Sequence, residues 1–524
     1  MDNSQSVLYS DLHLGQDPSS SGEVRPESRP GKPRLEAVNR QQMQMRAVEV
    51  DKLIAEDHPA RAIWEFVGRL DLRSYYGEIR SVEGRAGRPS FDPQLLISLW
   101  VYSYSRGVGS ARAIARLCES DPAYQWLTGM EVVNAHTLSD FRVQHGEALK
   151  GLFEQVLGLL SAEGLITLER VMQDGTKIKA AASSNSFGRR GRIEESLKRA
   201  REHVDAVDRQ QEEEFNLVMV KARERARQEL IERLELALKE FEALREQGCG
   251  AVDSKVKVST TDPQARVMKQ GDGGFAPNFN VQISTDAANG LIVGVDVTQA
   301  GNDLAQLQPA VDRLEETLGR TPEQMVADGG YVTGSNIVAM ANRGIEFIGP
   351  QGDETDKAAK SYAQRDVAPE YRAEAFVYDS ATNSYRCPQG KELSYDGKEE
   401  TDLYLGYRYR AKVRDCRVCL FKAQCCSGNQ KKGRSVLRKE ERSEVVAFRK
   451  KMRTEAAKAI YRQRSKVAEF PNLWIKEKLR LRQFAVRGLR KVGLESLWAC
   501  LTYNIQQWIR LSWRPTLATR TAVN

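Results

Sequence analysis

Val171-Met172-Gln173-Asp174-Gly175-Thr176-Lys177-Ile178-Lys179 is the stretch whose reading decides the fold. An apolar, strand-like run leads into one acidic residue, a glycine, and then a threonine and two lysines at alternating positions. The arrangement returns at Gln324-Met325-Val326-Ala327-Asp328-Gly329-Gly330-Tyr331, and a third passage, Tyr461 to Lys476, offers Glu469 among arginines and lysines. Two Asp on separate strands and a Glu on a late helix supply oxygen ligands of the kind hard divalent cations take. An Asp before a Gly at a strand end is also an ordinary turn former, so each motif alone carries two readings.

Working outward, the chain has 524 residues, too many for one ordinary core. At about 150 residues per domain, three or four units are expected. A hydrophobic fraction of 41% suffices for several cores, and the net charge of +8 fits an anionic partner without demanding one. No run approaches the roughly 18 apolar residues of a membrane-spanning helix. Met1 to Pro33 is polar and lacks the apolar centre of a signal peptide. The expected setting is therefore the cytoplasm, where thiols stay reduced. The eight cysteines then read as metal ligands or buried thiols, and five of them crowd between Cys387 and Cys426.

Residues 1–40 have the composition of a disordered tail. From Gln41 to about Leu165 apolar residues recur at helical spacing, as in Leu95-Leu96-Ile97 with Leu99-Trp100-Val101. Asp92-Pro93 and Ser139-Asp140 read as helix starts. The tight connection Arg106-Gly107-Val108-Gly109-Ser110 fits a helix-turn-helix-like bundle as well as a plain helical domain. Ile193 to about Gln247, almost free of Gly and Pro, predicts a helix or, since one helix would far outreach a domain, a folded-back pair. Strands follow at Phe279–Ser284 and Leu291–Val297 around the turn Ala288-Asn289-Gly290, then a helix over Asp303–Leu318 ended by Gly319, then the strand before Asp328. The Gly-rich stretch from Gly271 to Gly274 precedes no helix and reads as a turn rather than a phosphate cradle. Residues 350–440 read as loop-rich, Arg442 to about Ser512 as helical and basic, and the end as a polar tail.

Taken together, Asp174-Gly175-Thr176-Lys177, the Asp328-Gly329-Gly330-Tyr331 turn, and Tyr461 with Arg464, Glu469 and Lys476 resemble the acidic triad of bacterial insertion-sequence DDE transposases. Thr261-Asp262-Pro263-Gln264-Ala265-Arg266, Asn280-Val281-Gln282 and the run from Phe91 to Arg142 add to the likeness, which covers about residues 45–510. The resemblance implies an α/β fold: a ribonuclease-H-like mixed sheet, with an N-terminal helical domain, a helical insertion and a cysteine-rich insertion. The expected map is a helical, helix-turn-helix-like DNA-binding domain over 41–165 and a catalytic core over 166–349 and 441–512. The insertions would span 193–250 and 350–440, and the tail 513–524. Asp174, Asp328 and Glu469 would hold two Mg²⁺ (or Mn²⁺) ions for phosphodiester cleavage and strand transfer. Glu477 competes with Glu469, because four residues separate Arg464 from Glu469 where the family pattern has three. Pro471 fits a helix beginning at Glu469.

Lys177, Tyr461, Arg464 and Lys476 are the expected DNA contacts, set against a plain reading as exposed basic residues. Partners would be double-stranded DNA, namely terminal inverted repeats and target, and a second or further copies of the chain, with no membrane and a nucleoid-associated location. The basic run Lys476 to Lys491 would neutralise phosphates, while Trp474, Leu479, Leu481, Phe484 and Leu489 pack on the sheet. Separately, Cys387-Pro388-Gln389-Gly390, Cys416-Arg417-Val418-Cys419 and Cys425-Cys426 have the make-up of a tetrahedral, structural Zn²⁺ site on Cys387, Cys416, Cys419 and Cys425, with Cys426 a rival for the fourth place. Cys118, Cys249 and Cys500 read as structural, and the five histidines carry no assigned role. A nuclease that cuts without joining, and a silent DNA-binding regulator, are the competing functions.

Overall fold

In the computed structural model, Val171, Met172 and Ile178 are fully buried, which sets their strand at the centre of a sheet covered on both faces. The residues described are 41, 43, 45, 47–81, 84, 89–208, 217–246, 256–271, 273–350, 362–401, 403–426 and 433–523. The expected disordered tail over 1–40, Asp272 and Cys249 lie outside them. The chain divides into Met1–Val48 and Glu49–Asn524, and every element below belongs to the second unit.

The larger sheet has six strands: β1 (Arg170–Lys179), β2 (Arg266–Lys269), β3 (Phe275–Asp286), β4 (Ile292–Thr298), β5 (Gln324–Ala327) and β6 (Glu346–Ile348). β1 runs antiparallel to β3 and parallel to β5, and β5 runs parallel to β6. β3 also pairs antiparallel with β2 and β4. The β3–β4 turn is the expected one, with Gly290 at φ 69°, and the β2–β3 connection at Gly271–Gly274 is a turn with Gly273 at φ 86°.

The helical spacing expected before the sheet is observed; among the described residues the longer helices are α1 (Pro59–Gly68), α2 (Pro93–Ser105), α3 (Ala111–Ser120), α4 (Pro122–Thr128), α5 (Ala135–Gln144) and α6 (Gly146–Ala162). Asp92 caps α2 as expected, its Oδ1 accepting Gln94 N–H at 2.8 Å. Ser139-Asp140 is not a start: it lies inside α5, which Asn134 caps by accepting Thr137 N–H at 2.9 Å. The Asn wins because it precedes the first apolar turn, with Leu138 and Phe141 both buried after it.

The run after β1 folds back as a pair, α7 (Arg190–Asp208) and α8 (Leu217–Glu246). Ile193, Leu197 and Ala200 pack on Leu234, Ala237 and Phe241, and the pairs Arg201–Glu235 (2.7 Å) and Arg190–Glu242 (2.9 Å) make the two helices antiparallel. Between β4 and β5, α9 (Leu307–Leu318) begins four residues later than Asp303. It buries Leu307, Ala310, Val311 and Leu314 and ends at Gly319 with φ 68°. α10 (Gly334–Asn342) connects β5 to β6.

Residues 350–440 correct the loop-rich reading. They contain a second, five-stranded antiparallel sheet: β7 (Val377–Asp379), β8 (Ser384–Arg386), β9 (Glu392–Glu400), β10 (Tyr404–Ala411) and β11 (Ser435–Glu441), in the order β11-β10-β9-β8-β7. Its strands carry charged residues on both faces, which hides the alternation that marks a half-buried strand.

The C-terminal helices are α11 (Ser443–Met452), α12 (Glu455–Arg462), α13 (Glu469–Glu477), α14 (Leu489–Trp508) and α15 (Arg514–Val523), the last replacing the polar tail expected there. α14 is buried nearly all round and holds the leader helices to the sheet in one continuous core. Gln264 Oε1 accepts Leu489 N–H at 2.8 Å and Asp262 Oδ1 accepts Gly488 N–H at 3.2 Å, so the Thr261–Arg266 motif caps this helix. At its other end Asn504 bonds both backbone groups of Ile292, at 2.9 and 2.7 Å. Leu479, Leu481 and Phe484 are buried, as expected, with the Phe484 ring edge-on to Phe279 of β3.

Candidate active site

Parallel pairing aligns Gln173 of β1 with Ala327 of β5. The next residue on each strand is therefore one of the two Asp, and their side chains enter the same notch where β5 ends. Asp328 turns the chain, its Oδ1 accepting Gly330 N–H at 2.8 Å. Asp174 does not: it stays within β1, with Gly175 paired to Gln282, so the Asp-Gly of the first motif is no turn.

The third wall is the short helical turn Arg464–Val467 followed by α13. Pro471 falls in the first turn of α13, where its missing N–H costs nothing, and Glu469 begins the helix. Arg464 then joins all three acids. Its Nη2 lies 2.8 Å from Asp174 Oδ1 and 3.6 Å from Asp328 Oδ2, and its Nη1 lies 3.2 Å from Glu469 Oε1. Asn472, one turn along α13, donates to Asp174 Oδ2 at 2.8 Å and fixes that carboxylate's rotamer.

Burial pushes the Asp174 carboxyl up to about 6; the Arg464 guanidinium pulls it down, and the neighbouring Asp328 pushes it up again. Burial lowers the Lys476 ammonium, against an opposing pull from Asp174. Burial likewise raises the Tyr461 phenol, and Arg464 and the three acids all act on it.

Asp174, Asp328, Glu469, Tyr461, Arg464 and Lys476 thus come together. The side chain of Arg464 is only 12% exposed and belongs to the acid cluster rather than to an open helix face. Glu477 is turned away, paired with Arg482. Lys177 is spent locally, its Nζ donating to Lys269 O at 2.9 Å. Two residues went unread in the sequence. Asn472 is one; Asp303, which accepts from Asn280 at 2.8 Å and Gln282 at 2.6 Å, is the other. The pointer to Asp303 was the Asn280-Val281-Gln282 motif, whose two amides both serve it.

Asp174, Asp328 and Glu469 are hard oxygen donors, and the buried Asn472 Oδ1 beside them lacks a hydrogen-bond partner. That chemistry fits a divalent cation. Among the described residues no set of three or more His, Cys, Asp or Glu side chains is arranged around a ready ion position; here the guanidinium stands among the acids.

The cysteines gather under the second sheet. Lys391 N–H points at Cys387 Sγ (3.3 Å) across the turn at Gly390, whose φ is 73°, and Arg434 N–H points at Cys416 Sγ (3.5 Å). Cys425 and Cys426 lie 3.9 Å apart, so one thiol is held up by the other. Burial raises Cys416, which also feels Cys426, Cys387 and Cys419. Soft sulfurs are the donors that Zn²⁺ takes, but among the described residues no three of these cysteines are arranged around an ion position. Cys118 and Cys500 are buried far along the chain from this group.

Two family models match the chain. A transposase DDE domain matches residues 386–509, a span that contains Glu469, Arg464 and the second sheet from β9 onward. A transposase domain of the DUF772 type matches residues 48–144, the leader helices through α5. No curated protein and no solved structure gives a match. No helix among the described residues is long and apolar enough to cross a membrane. With one transposase-domain match in its helical leader and another in the segment that brings Glu469 to the two Asp, the chain resembles the insertion-sequence DDE transposases over both spans.

Proposed function

We propose that this chain is a transposase that cuts DNA at the ends of its element and joins the freed ends to a target, with Asp174, Asp328 and Glu469 as ligands of two Mg²⁺ (or Mn²⁺) ions. The observation that carries the reading is that three acids from distant segments share one guanidinium, Arg464. Three carboxylates crowded into one partly buried notch repel one another. Arg464 offsets that charge in the metal-free protein. Bound there, divalent ions supply positive charge to the attacking and leaving oxygens of an in-line displacement. Asp174, held by Asn472, would be the ligand shared between the two ions, and Asp328 and Glu469 would each complete one set. Of the four expected DNA contacts, Tyr461 and Lys476 would face the DNA phosphates, whereas Arg464 is engaged by the acids and Lys177 by Lys269 O.

The pairing series β4-β3-β1-β5-β6, antiparallel on one side of β1 and parallel on the other, supports a ribonuclease-H-like core. On this reading the core is 166–349 with 441–512, and the helical pair (193–250) and the cysteine-bearing sheet (350–440) are insertions. The leader (41–165) would bind DNA through α3, whose Arg112 and Arg116 are exposed while Ile114 and Cys118 face inward. Zn²⁺ on Cys387, Cys416, Cys419 and Cys425, with Cys426 in contention, would clip the second insertion. The partners are terminal inverted repeats, target DNA and a further copy of the chain, in the bacterial cytoplasm at the nucleoid.

The test uses labelled DNA carrying an element end, with Mg²⁺ and an unlabelled target. Cleavage at the end together with a joined product is expected. Cleavage with no joined product would leave a nuclease, and DNA binding without cleavage would leave a regulator.

A further inference from the structure

Asp303 sits in the loop between β4 and α9, and the acid triad does not include it. Yet it fills the space beside both Asp-Gly motifs. A Cβ on Gly175 would stand 2.5 Å from Asp303 Oδ1 and 3.0 Å from its Cγ. A Cβ on Gly330 would stand 3.6 Å from Asp303 Cβ and 3.7 Å from its Oδ2, as well as 2.9 Å from Asp328 Oδ1. Neither glycine has a left-handed backbone. What these positions require is room, and at Gly175 the room is taken by a carboxylate.

A buried network fixes that carboxylate. Gln282 Oε1 accepts from Tyr331 Oη at 2.5 Å and from Gln173 Nε2 at 3.0 Å, and Ser284 Oγ donates to Gln173 Oε1 at 2.6 Å. With its oxygen doubly engaged, the Gln282 amide must turn its Nε2 to Asp303, where Asn280 Nδ2 joins it. Both donors are neutral, and among the described residues no Lys or Arg forms an ion pair with Asp303. A half-buried carboxylate with neutral partners, set beside Asp328 and against the glycine after Asp174, adds a negative charge that no neighbouring cation among the described residues offsets. A cation bound between the acids would supply that offset.

We propose that Asp303 is a positioning residue of the acid site, whose negative charge strengthens the hold of Asp174 and Asp328 on the divalent ion. The inference rests on the metal reading above. Groups just outside a metal's ligands change its affinity by about 10- to 100-fold. Asp303 acts from the face of β1 opposite Asp174, through the space left by Gly175.

The test is calorimetric titration of the full-length protein with Mn²⁺, in the absence of DNA, together with melting temperatures in EDTA. Asp303→Asn keeps an acceptor for Asn280 and Gln282 and removes only the charge. It is expected to raise the Mn²⁺ Kd about tenfold without lowering the metal-free melting temperature, and Asp303→Glu is expected to recover most of the affinity. Asn280→Ala, which loosens Asp303 but leaves its charge, is expected to weaken binding less than Asp303→Asn does. Wild-type affinity in Asp303→Asn overturns the proposal. So does equal weakening by Asp303→Asn and Asn280→Ala, which would make the residue a packing element. If Asp303→Asn melts early, Asp303→Glu against Asn280→Ala decides: a charge role keeps the Glu variant the tighter binder, and the reverse order overturns it. If the wild type and Asp174→Asn give the same isotherm, the metal reading itself fails and takes this proposal with it.

Discussion

Arg464 stands among three carboxylates on a sheet whose core runs unbroken through the leader helices and α14. The thiols between Cys387 and Cys426 rest on a far smaller base, the buried cluster of Phe376, Leu393, Tyr409, Ala411 and Val436. The first region has a large core and its own cation, so it can hold its shape with no ion present. The second has a small apolar cluster, a situation in which a bound metal would contribute folding energy. On the proposed reading the two regions would divide the roles: the carboxylates would serve chemistry, and the sulfurs the fold.

The sharpest way to break this contrast is to remove one acid. Asp174→Asn or Asp328→Asn should lower end cleavage by at least about 10³-fold, comparable to losing one strong transition-state contact, while a gel-shift assay shows DNA binding retained. Activity within tenfold of wild type in either purified variant would remove that residue from the site. Next in size is loss of the sulfur clip. The double variant Cys416→Ser, Cys419→Ser should lose one zinc per chain by elemental analysis and expose the 377–441 sheet to protease, while the acid region stays protected. Wild-type protein freshly purified without zinc would dismiss the clip.

A smaller effect tests whether the acid site is strained when empty. Burial raises Asp174 from the ordinary 3.8 to about 6 in the folded protein. A raised carboxyl contributes its stability below the unfolded value and loses it as pH rises through the folded one. In EDTA, Asp174→Asn should therefore be more stable than wild type above pH 6, by on the order of 1–3 kcal/mol, with the advantage gone near pH 4. Equal stability at pH 7.5 would mean that the ionised Asp174 carries no net cost in the folded protein. The least effect is expected at Glu477: Glu477→Gln should leave cleavage within about twofold, since a surface ion pair contributes little, whereas Glu469→Gln should behave like the Asp variants. The opposite ranking would exchange the two residues.

Much of the acid region could be read from the letters because local rules and tertiary structure agree there. The hairpin through Gly290, the helix stopped by Gly319 and the strand ending at Asp328 each carry their own punctuation. The helix start at Glu469 was legible because Pro471 marks a first helical turn. The second sheet was not legible. In β9 only Leu393 is fully buried, and a register shift between Tyr395 and Gly397 breaks what alternation there is. Asp303 was illegible for another reason: a polar residue in a loop reveals its role only through contacts with Gly175, Asn280 and Gln282, which no spacing records. Arg464 was read as a DNA contact, and only the fold shows that it serves three acids at once.

The most direct measurement is anomalous diffraction from crystals grown with Mn²⁺. The account predicts manganese density bound by Asp174 and Asp328, with Glu469 completing the set and Arg464 displaced from Asp174. Carboxylates still closed on Arg464 at saturating Mn²⁺, with any manganese lying elsewhere, would contradict it.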